Sequence, residues 1–131
     1  MMQFILAAMA EVIGTIMGGL DGLLYSLIVF VGVDYATGVM VEGINKACFN
    51  QLGFRKVIKK IMIFCMVALA HTIDNYVIRN GSMLRTAVIL FYLSNEGISI
   101  LDNATHVGLP IPKKLKVVLE QIKESDGNEG E

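Results

Sequence analysis

The sequence predicts an all-α membrane protein with three to four short transmembrane helices, a C-terminal amphipathic helix and a short acidic tail. Hydrophobic residues, glycine not included, make up 54% of the 131 residues, and the mean hydropathy is +0.61. Charged residues are 18%, below the roughly 25% of an ordinary soluble domain. Nine of the 23 charged residues lie from Lys113 onwards. The rest of the chain therefore lacks the polar surface of a small soluble domain, which predicts one membrane domain over residues 1–124.

Four apolar segments approach the length of about 20 residues that crosses a bilayer. Residues 23–41, 60–78 and 84–102 are predicted to be transmembrane helices. Residues 2–20 are short, rich in glycine and contain a carboxylate, so this N-terminal helix either spans the membrane or lies at its surface. Turn-forming residues at 18–22 and 79–82 separate the segments.

The C-terminal region opens with a proline, which suits the first position of a helix. Residues 112–123 are predicted to form a cytoplasmic amphipathic helix, and residues 125–131 a disordered acidic tail. The lysines of this helix either attract anionic headgroups or form a solvated face that only determines topology. Its apolar face would consist of Leu115, Val118, Leu119 and Ile122.

Lysine and arginine are unevenly distributed between the connections, and this distribution predicts orientation. The connection 42–60 and the start of the C-terminal helix are rich in lysine, whereas the turn around Asn80 carries only Arg79 and Arg85. The first two are therefore expected in the cytoplasm and the turn outside. The C-terminus is then cytoplasmic, and the side of the N-terminus depends on whether residues 2–20 span.

Polar and ionisable residues within spans are unfavourable in lipid and usually face other helices or water. For each of them, a role in oligomerisation or pore lining competes with an ordinary contact inside the bundle. The candidates are Glu11, Gly14, Gly18, Asp34, His71, Asp74, Arg85, Asn95 and Glu96.

The N-terminal candidates share a spacing that is typical of helix association. Glu11 is followed by Gly14, Gly18 and Gly22, which are spaced four residues apart, and this spacing predicts a small-residue face along which helices approach closely. The alternative is an amphipathic helix that rests on the membrane with Glu11 among the headgroups. For Asp34, an interhelical partner is favoured over a hydrogen bond to a nearby backbone group or lysine.

Two further sets of candidates lie in the third and fourth segments. His71 and Asp74 are three residues apart and share a helix face, where polar contacts between helices are favoured over a metal site. Arg85 and Glu96 belong to a polar face that runs along the fourth segment, with Asn95 beside it. This face either lines water or a helix seam, or is satisfied inside a static bundle.

Several function classes lack their sequence signatures. The chain has no phosphate-binding glycine loop, nucleophile motif, metal-ligand spacing or nucleotide fingerprint, so neither an enzyme nor a cofactor is predicted. A net charge of −1 does not indicate nucleic-acid binding. Cys48 and Cys65 are expected to be free thiols. A small proton-coupled transporter that uses Glu11 or Glu96 stays open as an alternative.

Several stretches of the chain together carry a resemblance to a known family. They are residues 34–38 (DYATG), 53–56 (GFRK), 68–74 (ALAHTID), 84–97 (LRTAVILFYLSNEG), 99–103 (SILDN) and 108–112 (GLPIP). In their order and spacing, most of the chain, from about residue 23 to residue 123, resembles the phage-lysis and toxin-secretion holins of Gram-positive bacteria and their phages.

The resemblance implies a homo-oligomer in the bacterial cytoplasmic membrane, which opens lesions that release an endolysin or a protein toxin. It implies no catalysis and no cofactor, and an antiholin regulator has the same fold and is a possible partner. Asp34, His71, Asp74 and the run 95–97 are characteristic positions.

Overall fold

The computed structural model describes residues 1–45 and 49–129, and every regular element in them is a helix. Three helices are long and apolar enough to cross a membrane, with windows at Gly22–Gly43, Gly53–Ile78 and Met83–Val107. The predicted fold class is therefore confirmed. In chain order the elements are α1 (Met2–Ile16), α2 (Gly22–Asn45), α3 (Phe49–Thr72, continued by a π-helical turn, Ile73–Ile78), α4 (Met83–Val107) and α5 (Lys113–Glu129).

The three spanning helices form a bundle in which α4 is central. Helix α4 packs along α2 and α3, whereas α2 and α3 contact each other much less. The best buried apolar side chains come from all three helices and include Leu24, Leu27, Val67 and Ile89. Most other large apolar side chains of the spans are exposed, as expected for helices whose solvent is lipid.

Helix α3 begins well before the predicted span at residue 60. Its first turns, from Phe49, include most of the lysines and the arginine that the sequence analysis placed in a polar connection. Long basic side chains can extend from a helix end towards the membrane surface, so the basic residues are compatible with a continuous helix. The connection between α2 and α3 is correspondingly shorter than predicted.

Helix α1 is the least attached element. Its side chains are exposed almost throughout, and it contacts α3 only slightly. Fifteen residues at 1.5 Å each make a helix of roughly 22 Å, shorter than the roughly 30 Å hydrocarbon core. The chain then turns at Gly18 and Gly19, both with φ near +93°, before α2 begins.

Helix α5 turns back along α4 after a short connection that begins with Gly108. Residues 112–123 were predicted to be helical, and the helix continues to Glu129, into the segment for which the sequence predicts a disordered tail. Leu119 is its buried apolar contact, at 7% exposure. The amphipathic helix therefore packs against a spanning helix rather than standing apart from the bundle.

Candidate functional site

A buried ionic network joins all three spanning helices. Lys60 of α3 donates a hydrogen bond to the Oε2 atom of Glu96 on α4 at 2.6 Å, and it also pairs with the carboxylate of Asp34 on α2. Asn103 of α4 donates to the Oδ1 atom of Asp34 at 3.1 Å and to the hydroxyl of Thr37 at 2.9 Å. These five residues are called the central cluster.

The central cluster lies deep within the bundle. Asp34 is twelve residues from the start of α2, about 18 Å along the helix axis, which places it near the middle of a bilayer. The side chains of Lys60, Asp34 and Glu96 are 17%, 8% and 7% exposed. One ammonium group therefore compensates two carboxylates at a depth where lipid cannot hydrate them. Each carboxylate depends on Lys60 and on its hydrogen bonds to be stable there.

A second network, called the turn cluster, lies where α4 begins. The guanidinium group of Arg85 donates to the carbonyl oxygens of Met17 at 2.6 Å and Gly19 at 3.0 Å, and to the Oδ2 atom of Asp21 at 2.8 Å. Arg85 is 4% exposed, whereas the side chain of Asp21 is 50% exposed. The hydrogen bond from Arg85 holds the pKa of the Asp21 carboxyl below its ordinary value.

Asp74 completes the turn cluster from the π-helical end of α3. Its carboxylate accepts hydrogen bonds from the backbone N–H groups of Leu84 at 3.1 Å and Arg85 at 2.7 Å. These groups belong to the first turn of α4, whose N–H groups have no partner within the helix. Ser82, the residue at the cap position, makes no side-chain cap. A carboxylate from a neighbouring helix therefore caps α4, and it joins the end of α3 to the start of α4.

The candidates predicted in the spans mostly lie in these two networks. Asp34 and Glu96 meet in the central cluster, and Arg85 and Asp74 in the turn cluster. In this structure their charged groups face other helices and not the outside of the bundle. Whether any of these side chains lines a pore in an assembly stays a prediction.

Three other candidates lie apart from both networks, and their roles also stay predictions. Glu11 is exposed on α1. Asn95 is half-buried on α4. His71 is half-buried, and its Nδ1 atom lies only 2.8 Å from the position that a Cβ atom on Gly18 would occupy. His71 thus lies beside the turn that follows α1.

The predicted small-residue face on the N-terminal helix is wrong. Helix α1 ends at Ile16, Gly18 lies beyond it with φ +94°, and Gly22 starts α2. The three glycines are therefore not on one helix, and Gly14 has open space around it. The role of Gly18 in the structure is local, because a Cβ atom there would lie 2.5 Å from Nε of Arg85. Pattern spacing alone could not reveal that the helix stops between the glycines.

Sequence reasoning missed Lys60 and Asp21 as site residues. Lys60 was placed in a cytoplasmic connection, at the boundary of an apolar run. The signal that could have identified it is charge balance, since Asp34 and Glu96 lie within spans and require a cation at similar depth. Asp21 precedes an apolar run, which is the position of a helix cap, and its Oδ1 atom accepts from the N–H group of Leu24 at 2.9 Å.

An apolar groove runs along the poorly packed side of the bundle, between α1, α2 and α3. It has a volume of about 560 Å³, and Ile13, Ile28, Phe64 and Ala68 are among the residues that line it. Cys65 also borders the groove as an exposed free thiol. Within the described part of the chain, no three His, Cys, Asp or Glu side chains are grouped closely enough to hold a metal ion.

Three apolar spanning helices, joined by buried ion pairs and exposing apolar side chains outward, define a helical integral membrane protein. Within that class, the sequence pattern of the bacteriophage holin family matches residues 11–124, and the chain belongs to this family. The resemblance noted from the sequence is thereby confirmed.

Relatives of similar length support the assignment. An uncharacterised protein of Halalkalibacterium halodurans is 35% identical over 121 residues, which cover 89% of this chain and 90% of that protein. An uncharacterised 14.9 kDa protein from the nagH 3′ region of Clostridium perfringens is 39% identical over 107 residues, covering 82% and 81%. A probable holin of Bacillus phage phi105 is 33% identical over 97 residues, covering 74% and 70%. No solved structure matches this chain.

Proposed function

We propose that this protein is a holin that oligomerises in the bacterial cytoplasmic membrane and opens lesions through which an endolysin or a protein toxin leaves the cell. Its role is non-enzymatic, and its partners are further copies of itself and the bilayer. The observation that carries the proposal is the family match over residues 11–124, on a chain whose three spanning helices place a charged network at the middle of the membrane.

The central cluster supports assembly in particular. It places two carboxyl groups and one ammonium group inside the bundle, away from water. Ionisable groups within a span are unfavourable in lipid and usually have a functional role, and here they face other helices. A membrane protein that must stay intact for a time and then admit water benefits from such a network.

The two ends of the bundle support an orientation. The turn cluster joins the α1–α2 turn to the α3–α4 turn, so both turns lie at one end. At the other end, Lys56 pairs with Glu42 at 2.5 Å, in the region that is rich in basic residues. Because lysine and arginine mark the cytoplasmic side, we place this second end and the start of α5 in the cytoplasm, with α1 at the outer surface.

The test is induced expression of the full chain in a bacterial host, with culture density and release of a large cytoplasmic reporter enzyme followed over time. An abrupt stop in growth after a lag, together with reporter release, is the expected result. A variant with a stop codon early in the reading frame controls for the burden of induction. Continued growth with an intact membrane would refute the holin function.

Two alternatives correspond to distinct results of that experiment. An antiholin would not lyse the host alone and would delay lysis when expressed with a lytic relative. A small proton-coupled transporter would leave the host alive and show saturable flux of a small solute that depends on the proton gradient.

A further inference from the structure

Helix α5 carries its charges at the depth of the membrane interior. Leu119 lies against Gly97 of α4, where a Cβ atom on the glycine would be 2.9 Å from both methyl groups of the leucine. Gly97 is ten residues from the end of α4 and fourteen from its start, roughly 15 Å and 21 Å along the axis. The contact therefore lies near the middle of α4, and in a membrane that α4 spans along its whole length α5 would run beside it at membrane depth.

The exposed surface of α5 carries charges from residue 113 to residue 124, beside the exposed apolar side chains of Leu115, Val117 and Val118. From residue 113 to residue 124 the helix has four lysines and two glutamates, and all six side chains are exposed. Exposed side chains of α2 and α3 at similar depth include the apolar Val33 and Met62, and Lys59 is an exposed charge there. If lipid surrounded α5 in this position, its charges would be strongly unfavourable.

The contact beneath α5 is nonetheless specific. Leu119 fills a notch that exists because residue 97 has no side chain. The ring of Phe30 on α2 forms another wall of this notch, 3.1 Å from the position that a Cβ atom on Gly97 would occupy. Moving α5 to the cytoplasmic surface would leave the notch empty. An aqueous surrounding at that depth satisfies both the apolar contact and the outward charges.

We propose that α5 is the water-facing lining of the assembled lesion. It stays against α4 through Leu119 and Gly97, while Lys113, Lys114 and Glu124, on the opposite side of α5, face the aqueous interior. The inference rests on the proposed holin function and adds the element that borders the water. The polar face of α4, which the sequence suggested for this role, instead contacts α2 and α3 through the central cluster.

The first test locks α5 in place. The background is free of cysteine, with Cys48 replaced by serine and Cys65 by alanine. In it, Gly97→Cys is combined with Leu119→Cys. The second substitution also removes the methyl groups that would crowd a side chain at position 97. The full chain is placed in lipid vesicles that contain a fluorescent dextran, and it is oxidised or kept reduced. The matched control pair is Gly97→Cys with Val117→Cys, because residue 117 is exposed on another side of α5.

We expect the 97–119 disulfide to form, the 97–117 pair to stay reduced, and dextran release to persist in the locked protein. Release that disappears on oxidation and returns with a reductant would mean that α5 must leave α4, and would overturn the proposal. Release without any 97–119 disulfide would also overturn it. If the original chain, without substitutions, releases no dextran, the proposed holin function fails. That result is distinct from the two outcomes that overturn only the lining by α5.

The second test measures what surrounds α5 in the leaking vesicles. A bimane fluorophore is attached in the cysteine-free background at Glu124→Cys or, as control, at Val33→Cys on the lipid-facing side of α2. We expect aqueous iodide to quench the label at position 124 and a mid-bilayer doxyl lipid to quench the label at position 33. A label at position 124 that responds mainly to the doxyl lipid would place α5 in lipid and refute the lining.

Discussion

The two ionic networks of the bundle differ in what their charged groups contact. In the central cluster, Lys60 contacts only side chains, and two carboxylates depend on it. In the turn cluster, Arg85 binds two backbone carbonyls, and its carboxylate partner Asp21 is half exposed. The charged groups of the central cluster thus depend on one another and are shielded from water. Those of the turn cluster are partly stabilised by backbone carbonyls and by water. Loss of one member should therefore be more damaging in the centre than at the turn.

Lys60→Met should have the largest effect, because it leaves two carboxylates together without a cation. Breaking a buried pair in this way typically destabilises by about 3–5 kcal/mol. The measurement is unfolding of the detergent-solubilised protein by dodecyl sulfate, followed by circular dichroism. Lys59→Met is the matched control, since Lys59 is the neighbouring residue and is exposed. Equal stability of the two variants would contradict the dependence on Lys60.

A charge-balanced variant sharpens the same point. Glu96→Leu removes one of the two carboxylates and leaves Lys60 with Asp34, so it should destabilise less than Lys60→Met. If the uncompensated carboxylate contributes to opening, Glu96→Leu should change the time of lysis or abolish it. Normal lysis timing with normal expression would remove Glu96 from the mechanism.

Arg85→Met should have the second largest effect. It leaves the carbonyl oxygens of Met17 and Gly19 without their donor, and an unsatisfied buried polar group typically destabilises by about 1–3 kcal/mol. The same unfolding assay measures it, with Arg79→Gln as control because Arg79 is an exposed arginine at the same end of the bundle. A loss as large as that of Lys60→Met would contradict the contrast between the two networks.

The glycines near the α1–α2 turn should show graded effects on substitution by alanine. Gly18→Ala combines an unfavourable positive φ, worth roughly 1–2 kcal/mol, with a clash against Arg85. Gly19→Ala has the same φ penalty but open space, and Gly14→Ala has neither. The expected order of destabilisation is Gly18, Gly19, Gly14. Equal effects at positions 14 and 18 would contradict the local role of Gly18 beside Arg85.

Asp21→Asn should have a small effect, and that effect should depend on pH. The hydrogen bond from Arg85 lowers the pKa of Asp21 from its ordinary value of 3.8. The ionised carboxylate therefore contributes its full stability to the folded state at pH values above 3.8. The contribution is lost as the pH falls through the lowered pKa. The wild type should therefore exceed Asp21→Asn in stability near neutral pH and converge with it in acid. A difference that persists in strong acid would indicate another cause.

Much of the fold could be predicted from the sequence, because lipid imposes simple requirements on it. A chain with long apolar segments and few charges before Lys113 must form spanning helices, since backbone polar groups in lipid require internal partners. The amphipathic helix after Pro112 followed from its own pattern. The polar character of Asp34 and Glu96 was also enough to predict that they would need partners.

Only the tertiary structure decided which partners these residues have. Periodicity shows which residues share a face of one helix, but it does not specify the rotation and the relative height of two helices. The pairing of Asp34 and Glu96 with Lys60 depends on both, as does the contact of Leu119 with Gly97. The end of α1 before Gly18 is decided in the same way, because Arg85 binds the backbone of residues 17 and 19 from another helix. The sequence by itself thus determined which residues must be buried. The packing of α4 against its neighbours determined which partner residues they contact.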